Sequence, residues 1–112
     1  MAIEWTQVTC TAMSINTSNA WTTYNITSNN GVPKGAVVYI VAANGADAAN
    51  NIMGVRTDGS SINRYLNMTE AEDGGYNVVG WYVKVNPDTG CIQYYTGDHT
   101  DTAFYIMGYW TG

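Results

Sequence analysis

Between Gly54 and Tyr95 the chain runs as one short strand after another, each stopped by a turn signal: GVRTDGSSINRYLNMTEAEDGGYNVVGWYVKVNPDTGCIQYY. Asp58-Gly59 and Asn86-Pro87-Asp88-Thr89-Gly90 carry the residues that preset turn backbones or tolerate positive φ. Between these turns Val79, Trp81, Val83 and Val85 alternate with Gly80, Tyr82 and Lys84, a period of two that lays one face of a strand against a core. Strands this short and this closely spaced restrict the chain to antiparallel β structure.

The same pattern continues on both sides. Strands are expected over 4–10, 20–27, 36–43, 51–57, 62–68, 76–85, 91–96 and 102–110. Residues 36–43 (AVVYIVAA) are apolar without interruption, which predicts a central strand covered on both faces. A helical turn at 69–72 is compatible with the pattern, since Thr69 can cap it and acidic residues suit a first turn. Eight short strands give an all-β fold, an antiparallel β-sandwich of jelly-roll type, with a barrel of similar strand number as the competitor. At 112 residues the chain fits a single domain over 1–112, large enough to bury roughly 65% of its unfolded surface.

Composition narrows the functions. Charged residues make up 12% of the chain, about half the usual share, and 12 Asn and 14 Thr supply neutral polar groups in their place. A net charge of −5 and only four basic residues exclude a nucleic-acid partner, because phosphate binding is carried by Lys and Arg. No apolar run reaches the 18 or so residues that span a bilayer, and MAIEWTQVTC lacks the basic-then-apolar order of a signal peptide. A protein made in the cytoplasm is expected. Cys10 and Cys91 match no metal-binding spacing and read as two buried thiols, a disulfide between an early and a late strand being the alternative. The sequons at Asn16, Asn25 and Asn67 are chance products of an Asn- and Thr-rich chain.

Catalytic groups do not assemble into a scheme. His99 is the only histidine, and no nucleophile-elbow pattern accompanies it or the cysteines. Asp98, His99 and Asp101, or Asp88 with its neighbours, read as solvated loop residues and not as a metal-binding loop. Glu70 and Glu72 have no cleft to work across as paired carboxylates. No catalytic, metal-binding or cofactor-binding residue is therefore assigned. Arg56 and Arg64 flank the Asp58-Gly59 turn, where like charges on paired strands call for an acidic neighbour, Glu70, Glu72 or Asp58. They are ion-pair or interface candidates. Nine Tyr, four Trp and one Phe form a richer signal, since Tyr and Trp are favoured at interfaces and on sugar-binding faces. Adjacent aromatics at Tyr94-Tyr95 and Tyr109-Trp110 point to opposite sides of their strands, which makes all four interface candidates, while Trp5 and Trp21 are candidates for stacking on a glycan.

The segments VPKGAVVYIV, GVRTDGSSINRYL, EAEDGG, VKVNPDTGCIQYY and FYIMGYW together resemble small β-sandwich proteins and modules of tailed bacteriophages. The resemblance covers about residues 32–110, its motifs are mostly structural, and it implies that the first 30 or so residues contribute assembly contacts. It implies a non-enzymatic virion protein, a capsid decoration or head-fibre subunit. By that resemblance the partners are further copies of the chain, in a homotrimer, and a major capsid or other virion protein. A tail or fibre module that binds a receptor or carbohydrate is the alternative.

Overall fold

The computed structural model describes residues 3–45, 51–62, 65–68 and 77–111. In chain order the elements are β1 (Glu4–Ala12), β2 (Thr22–Tyr24), α1 (Ile26–Asn30), β3 (Val37–Asn44), β4 (Asn51–Thr57), β5 (Tyr65–Met68), β6 (Asn77–Lys84), β7 (Ile92–Thr96) and β8 (Thr102–Thr111). The strands build two four-stranded sheets, ordered β1-β8-β3-β6 and β2-β7-β4-β5. Every pairing is antiparallel and the pairings are nested: β4 with β5, β3 with β6, β2 with β7, β1 with β8. Contacts of β3 with β8 and of β4 with β7 then complete each sheet. This is jelly-roll wiring, as if one long hairpin had been folded over on itself. Two open sheets, each with free edges, take the place of the competing barrel.

The alternation over 79–85 is realised in β6, where Trp81, Val83 and the following Val85 are buried while Val78, Tyr82 and Lys84 are exposed. They face Val38, Ile40 and Ala42 of β3, Met53 and Val55 of β4, Ile92 and Tyr94 of β7, and Phe104 and Ile106 of β8 in one core. Tyr94 of one sheet meets Phe104 of the other with ring centroids 5.8 Å apart, and Trp81 lies 6.4 Å from Phe104. β3 is central, as its apolar run predicts, but only one side of it is covered. Val38, Ile40, Ala42 and Asn44 are buried; Val37, Tyr39, Val41 and Ala43 are shaded by neighbouring strands and stay half-exposed.

Three local expectations are corrected. The strand over 20–27 stops at Tyr24, because Asn25 turns the chain into α1: its side-chain oxygen accepts from the Ser28 amide at 2.9 Å, and Gly31 at φ 71° closes the helical turn. Ile26, fully buried, pins that turn to the core. The second correction is β1. All of its residues except Val8, which packs against the core, are exposed, so it is held mainly by pairing with β8 along the sheet edge. Cys10 is consequently exposed while Cys91 is buried, and both thiols are free, which overturns the pair of buried thiols and the disulfide alternative alike. Third, the partner of β4 starts at Tyr65 and not at 62. The helical turn at 69–72 lies outside the described residues.

The turn at 86–90 locks one end of the sandwich. Asn86 Oδ1 accepts from the amides of Asp88 and Thr89 at 2.8 and 3.1 Å, and its Nδ2 donates to the Asp58 carbonyl at 3.0 Å. The two turns read from the sequence are thus fastened to each other.

Candidate interaction surface

Strand register arranges the outward residues of the β1-β8-β3-β6 sheet in rows that cross all or most of the sheet. One row runs Trp5, Trp110, Val37, Lys84; the next Gln7, Gly108, Tyr39, Tyr82; the third Ala12, Tyr105, Val41, Gly80; the last Ala103, Ala43, Val78. Lys84, at a corner, is the single charged side chain among them. Val78 is 64% exposed, Tyr82 57%, and Trp5 and Trp110 39% each. Ile3, just before β1, is 74% exposed.

The two glycines give this face its shape. A Cβ on Gly80 would sit 2.8 Å from Cε1 and Cζ of Tyr39, and one on Gly108 would sit 2.6 Å from Cη2 of Trp5 and 2.8 Å from the Thr6 carbonyl oxygen. The Tyr39 and Trp5 rings therefore lie down on bare backbone, covering glycines that offer the sheet no side chain of their own. Each ring leans on a second one: Tyr39 on Tyr82 at 4.6 Å and 31°, Trp5 on Trp110 at 5.1 Å and 54°. At strand spacings near 4.8 Å and about 3.3 Å per residue the face measures on the order of 400 Å². That is within the range of the largest and often functional apolar patches on single chains.

The outer face of the other sheet carries a smaller cluster. Arg56 lies 4.1 Å above the Trp21 ring, and Tyr95 tilts against Trp21 at 5.7 Å. Arg56 Nε donates to Gln93 Oε1 at 2.7 Å, and Gln93 Nε2 donates to Asp58 Oδ1 at 3.2 Å, while Asp58 Oδ2 accepts from Thr89 Oγ1 at 2.9 Å. Arg56 thus reaches the Asp58 carboxylate through Gln93. Arg64, Glu70 and Glu72 lie outside the described residues.

The candidates from the sequence thus separate. Trp5 and Trp110 meet on the first face, Trp21, Tyr95 and Arg56 on the second. Tyr94 is corrected from interface to core: it sits on the inward phase of β7 at 1% exposure, and its hydroxyl accepts from the Asn16 amide at 3.2 Å. Tyr109 turns inward as well and packs half-buried against the core margin, because a register shift between β3 and β8 moves Trp110 outward. Tyr39, Tyr82, Val78, Gly80 and Gly108 were not singled out by the sequence. Their signal was present in β6, where the phase opposite to Trp81 is uncharged up to Lys84.

The loop candidates for chemistry are engaged locally. His99 Nδ1 lies 2.7 Å from Ser18 Oγ, and the His99 amide donates to the same oxygen at 3.0 Å, so the histidine is pinned and half-buried where an exposed loop residue was expected. Asp98 Oδ1 accepts from the Thr100 amide and hydroxyl at 3.1 and 2.7 Å, and these bonds, the hydroxyl first, hold its carboxyl below the usual carboxylate range. Among the described residues no three His, Cys, Asp or Glu side chains converge as metal ligands, and no helix is long and apolar enough to cross a membrane. No protein-family model and no curated protein matches the chain.

Proposed function

We propose that this chain is a non-enzymatic structural subunit of a tailed-phage particle, a capsid decoration or head-fibre protein that assembles as a homotrimer and docks on a capsid or other virion protein. The observation that carries the reading is the outer face of the β1-β8-β3-β6 sheet, solvent-exposed at Trp5, Val78, Tyr82 and Trp110. It is aromatic, nearly free of charge and preshaped by Gly80 and Gly108, which is the composition of the central part of a protein interface. Two of the four strands that build it, β3 and β8, lie mostly within the segments that carry the phage resemblance. The exposed β1 edge adds backbone groups that a neighbouring subunit covers, which is one way such edges are kept from uncontrolled pairing.

The test is the mass of the isolated protein in solution by light scattering, with Val78→Asp/Tyr82→Asp as the disrupting variant. A trimer that the double variant turns into a folded monomer is the expected result; a wild-type monomer at high concentration removes the trimer. Cryo-electron microscopy of particles carrying the protein then decides its place. Density at every capsomer supports decoration, and density only at a tail or fibre tip replaces it with the alternative module. The stacking geometry weakens that alternative at Trp21, one ring face of which is already occupied by Arg56.

A further inference from the structure

Where the end of β1 and the segment after it approach β2 and α1, the sandwich opens into a cleft of about 530 Å³. This lies within the roughly 300–1,000 Å³ of small-ligand sites. Asn16, Asn25, Asn29 and Asn30 stand around it with Tyr24 and Tyr94, and no lining residue is charged. Bonds within the protein polarise this wall. Asn16 Oδ1 accepts from Thr17 Oγ1 at 2.9 Å, Asn25 Oδ1 from the Ser28 amide at 2.9 Å, and Asn30 Oδ1 from the Tyr24 hydroxyl at 2.6 Å. In all three the carboxamide oxygen is committed to the protein, which fixes the orientation of the amide and leaves its NH2 end as a donor. The Asn29 side chain has no hydrogen-bond partner among the described residues.

We infer that this cleft binds a neutral saccharide, whose hydroxyl oxygens accept from the carboxamide NH2 groups of Asn16, Asn25, Asn29 and Asn30. An anionic ligand would shed its hydration with no Lys or Arg to replace it, and a metal ion would find no carboxylate. An extended peptide adding to the edge of β2 would gain little, since β2 is three residues long and the cleft offers no apolar pocket for alternate side chains. A sugar hydroxyl both donates and accepts, so it matches a wall of amides and hydroxyls. Tyr24 and Tyr94 are 8% and 1% exposed, too buried to stack on a ring. Recognition therefore rests on three or four hydrogen bonds, giving a dissociation constant on the order of 1 mM.

This inference does not rest on the assembly reading. It is tested by 15N–1H correlation spectra of the full chain, in which asparagine NH2 pairs are seen directly. The probes are methyl α-glucoside, methyl α-galactoside and N-acetylglucosamine, with glucose 6-phosphate and an extended peptide as contrasts. At least one neutral sugar should give saturable shifts at the NH2 pairs of Asn16, Asn25, Asn29 and Asn30, with binding weakened about fivefold in Asn29→Ala and again in Asn16→Ala. Asn29 and Asn16 are used because Asn25 also caps α1. No saturable shift with any sugar overturns the inference. So do shifts confined to the Trp5 or Trp21 indoles, unchanged affinity in both variants, or tighter binding of the phosphate or the peptide. A trimer that binds no sugar sinks only the cleft, and a monomer that binds sugar sinks only the assembly.

Discussion

Replacing Gly108 by alanine puts a methyl group where the Trp5 ring now lies. The new Cβ would be 2.6 Å from Trp5 Cη2 and 2.8 Å from the Thr6 carbonyl oxygen, and the second contact is backbone that moves only if the β1–β8 ladder opens. Trp5 is 39% exposed, so it buries about three-fifths of its surface, on the order of 150 Å². At ~25 cal/mol per Å² complete loss of that burial costs about 4 kcal/mol, and a partial slide of the ring about 2 kcal/mol. Because neither face of β1 touches the core along most of its length, this cost falls on local opening of β1 and not on global unfolding. Amide hydrogen exchange should show protection of β1 amides reduced about 30-fold, with β3–β6 amides unchanged. Gly80→Ala is the control. Its nearest contacts are atoms of the Tyr39 ring alone, which can swing outward, so a cost of about 1 kcal/mol and intact pairing are expected. Unchanged β1 protection in Gly108→Ala, or equal losses in β1, β3 and β6, would refute the reasoning.

Phe104, fully buried between Trp81 and Tyr94, should cost about 3–5 kcal/mol on truncation to alanine, read by urea unfolding; a loss below about 1 kcal/mol would mean that the sheets do not meet there. Of the two free thiols, Cys10 should react with a maleimide in the native protein and Cys91 only after unfolding, counted by mass spectrometry. Burial raises the Tyr24 hydroxyl above its ordinary value against the lowering effect of its hydrogen bonds. A raised folded value means that its contribution to stability is complete below about pH 10 and is lost as pH climbs from there through the folded value. Thermal melts across that window should show a shallower alkaline decline in Tyr24→Phe than in wild type.

Period two was readable because Trp81, Val83 and Val85 leave no other way to bury an apolar set, and Asn86-Pro87-Asp88-Thr89-Gly90 has few backbones open to it. Six of the eight strands consequently fall within two residues of their expected limits at both ends, β4 among them with both limits matched. α1 escaped because Tyr24-Asn25-Ile26-Thr27 has good strand propensity; the competing signal was the pair of caps, Asn25 before the turn and Gly31 after it. The aromatic face was illegible for a different reason. Trp5 meets Trp110 and Tyr39 meets Gly80 only through strand pairing, and no property of either partner specifies a register set across most of the chain. Tyr94 shows the complementary failure. Adjacent aromatics must diverge, but which of Tyr94 and Tyr95 turns inward is set by the phase of Ile92 and Thr96 against the opposite sheet.

The nested wiring has a consequence for how the molecule is made. β8, the last of the eight strands in chain order, lies in the middle of its sheet, with β1 on one side and β3 on the other. Neither of those strands has its full set of partners until β8 has been made, so this sheet stays incomplete, with β1 unpaired, while the strands between β1 and β8 are synthesised. Loss of β8 would leave β1 with no neighbour and one side of β3 open, a template for pairing between chains. A change close behind Thr111 is felt at the centre of the sheet, whereas one placed before β1 meets only its margin.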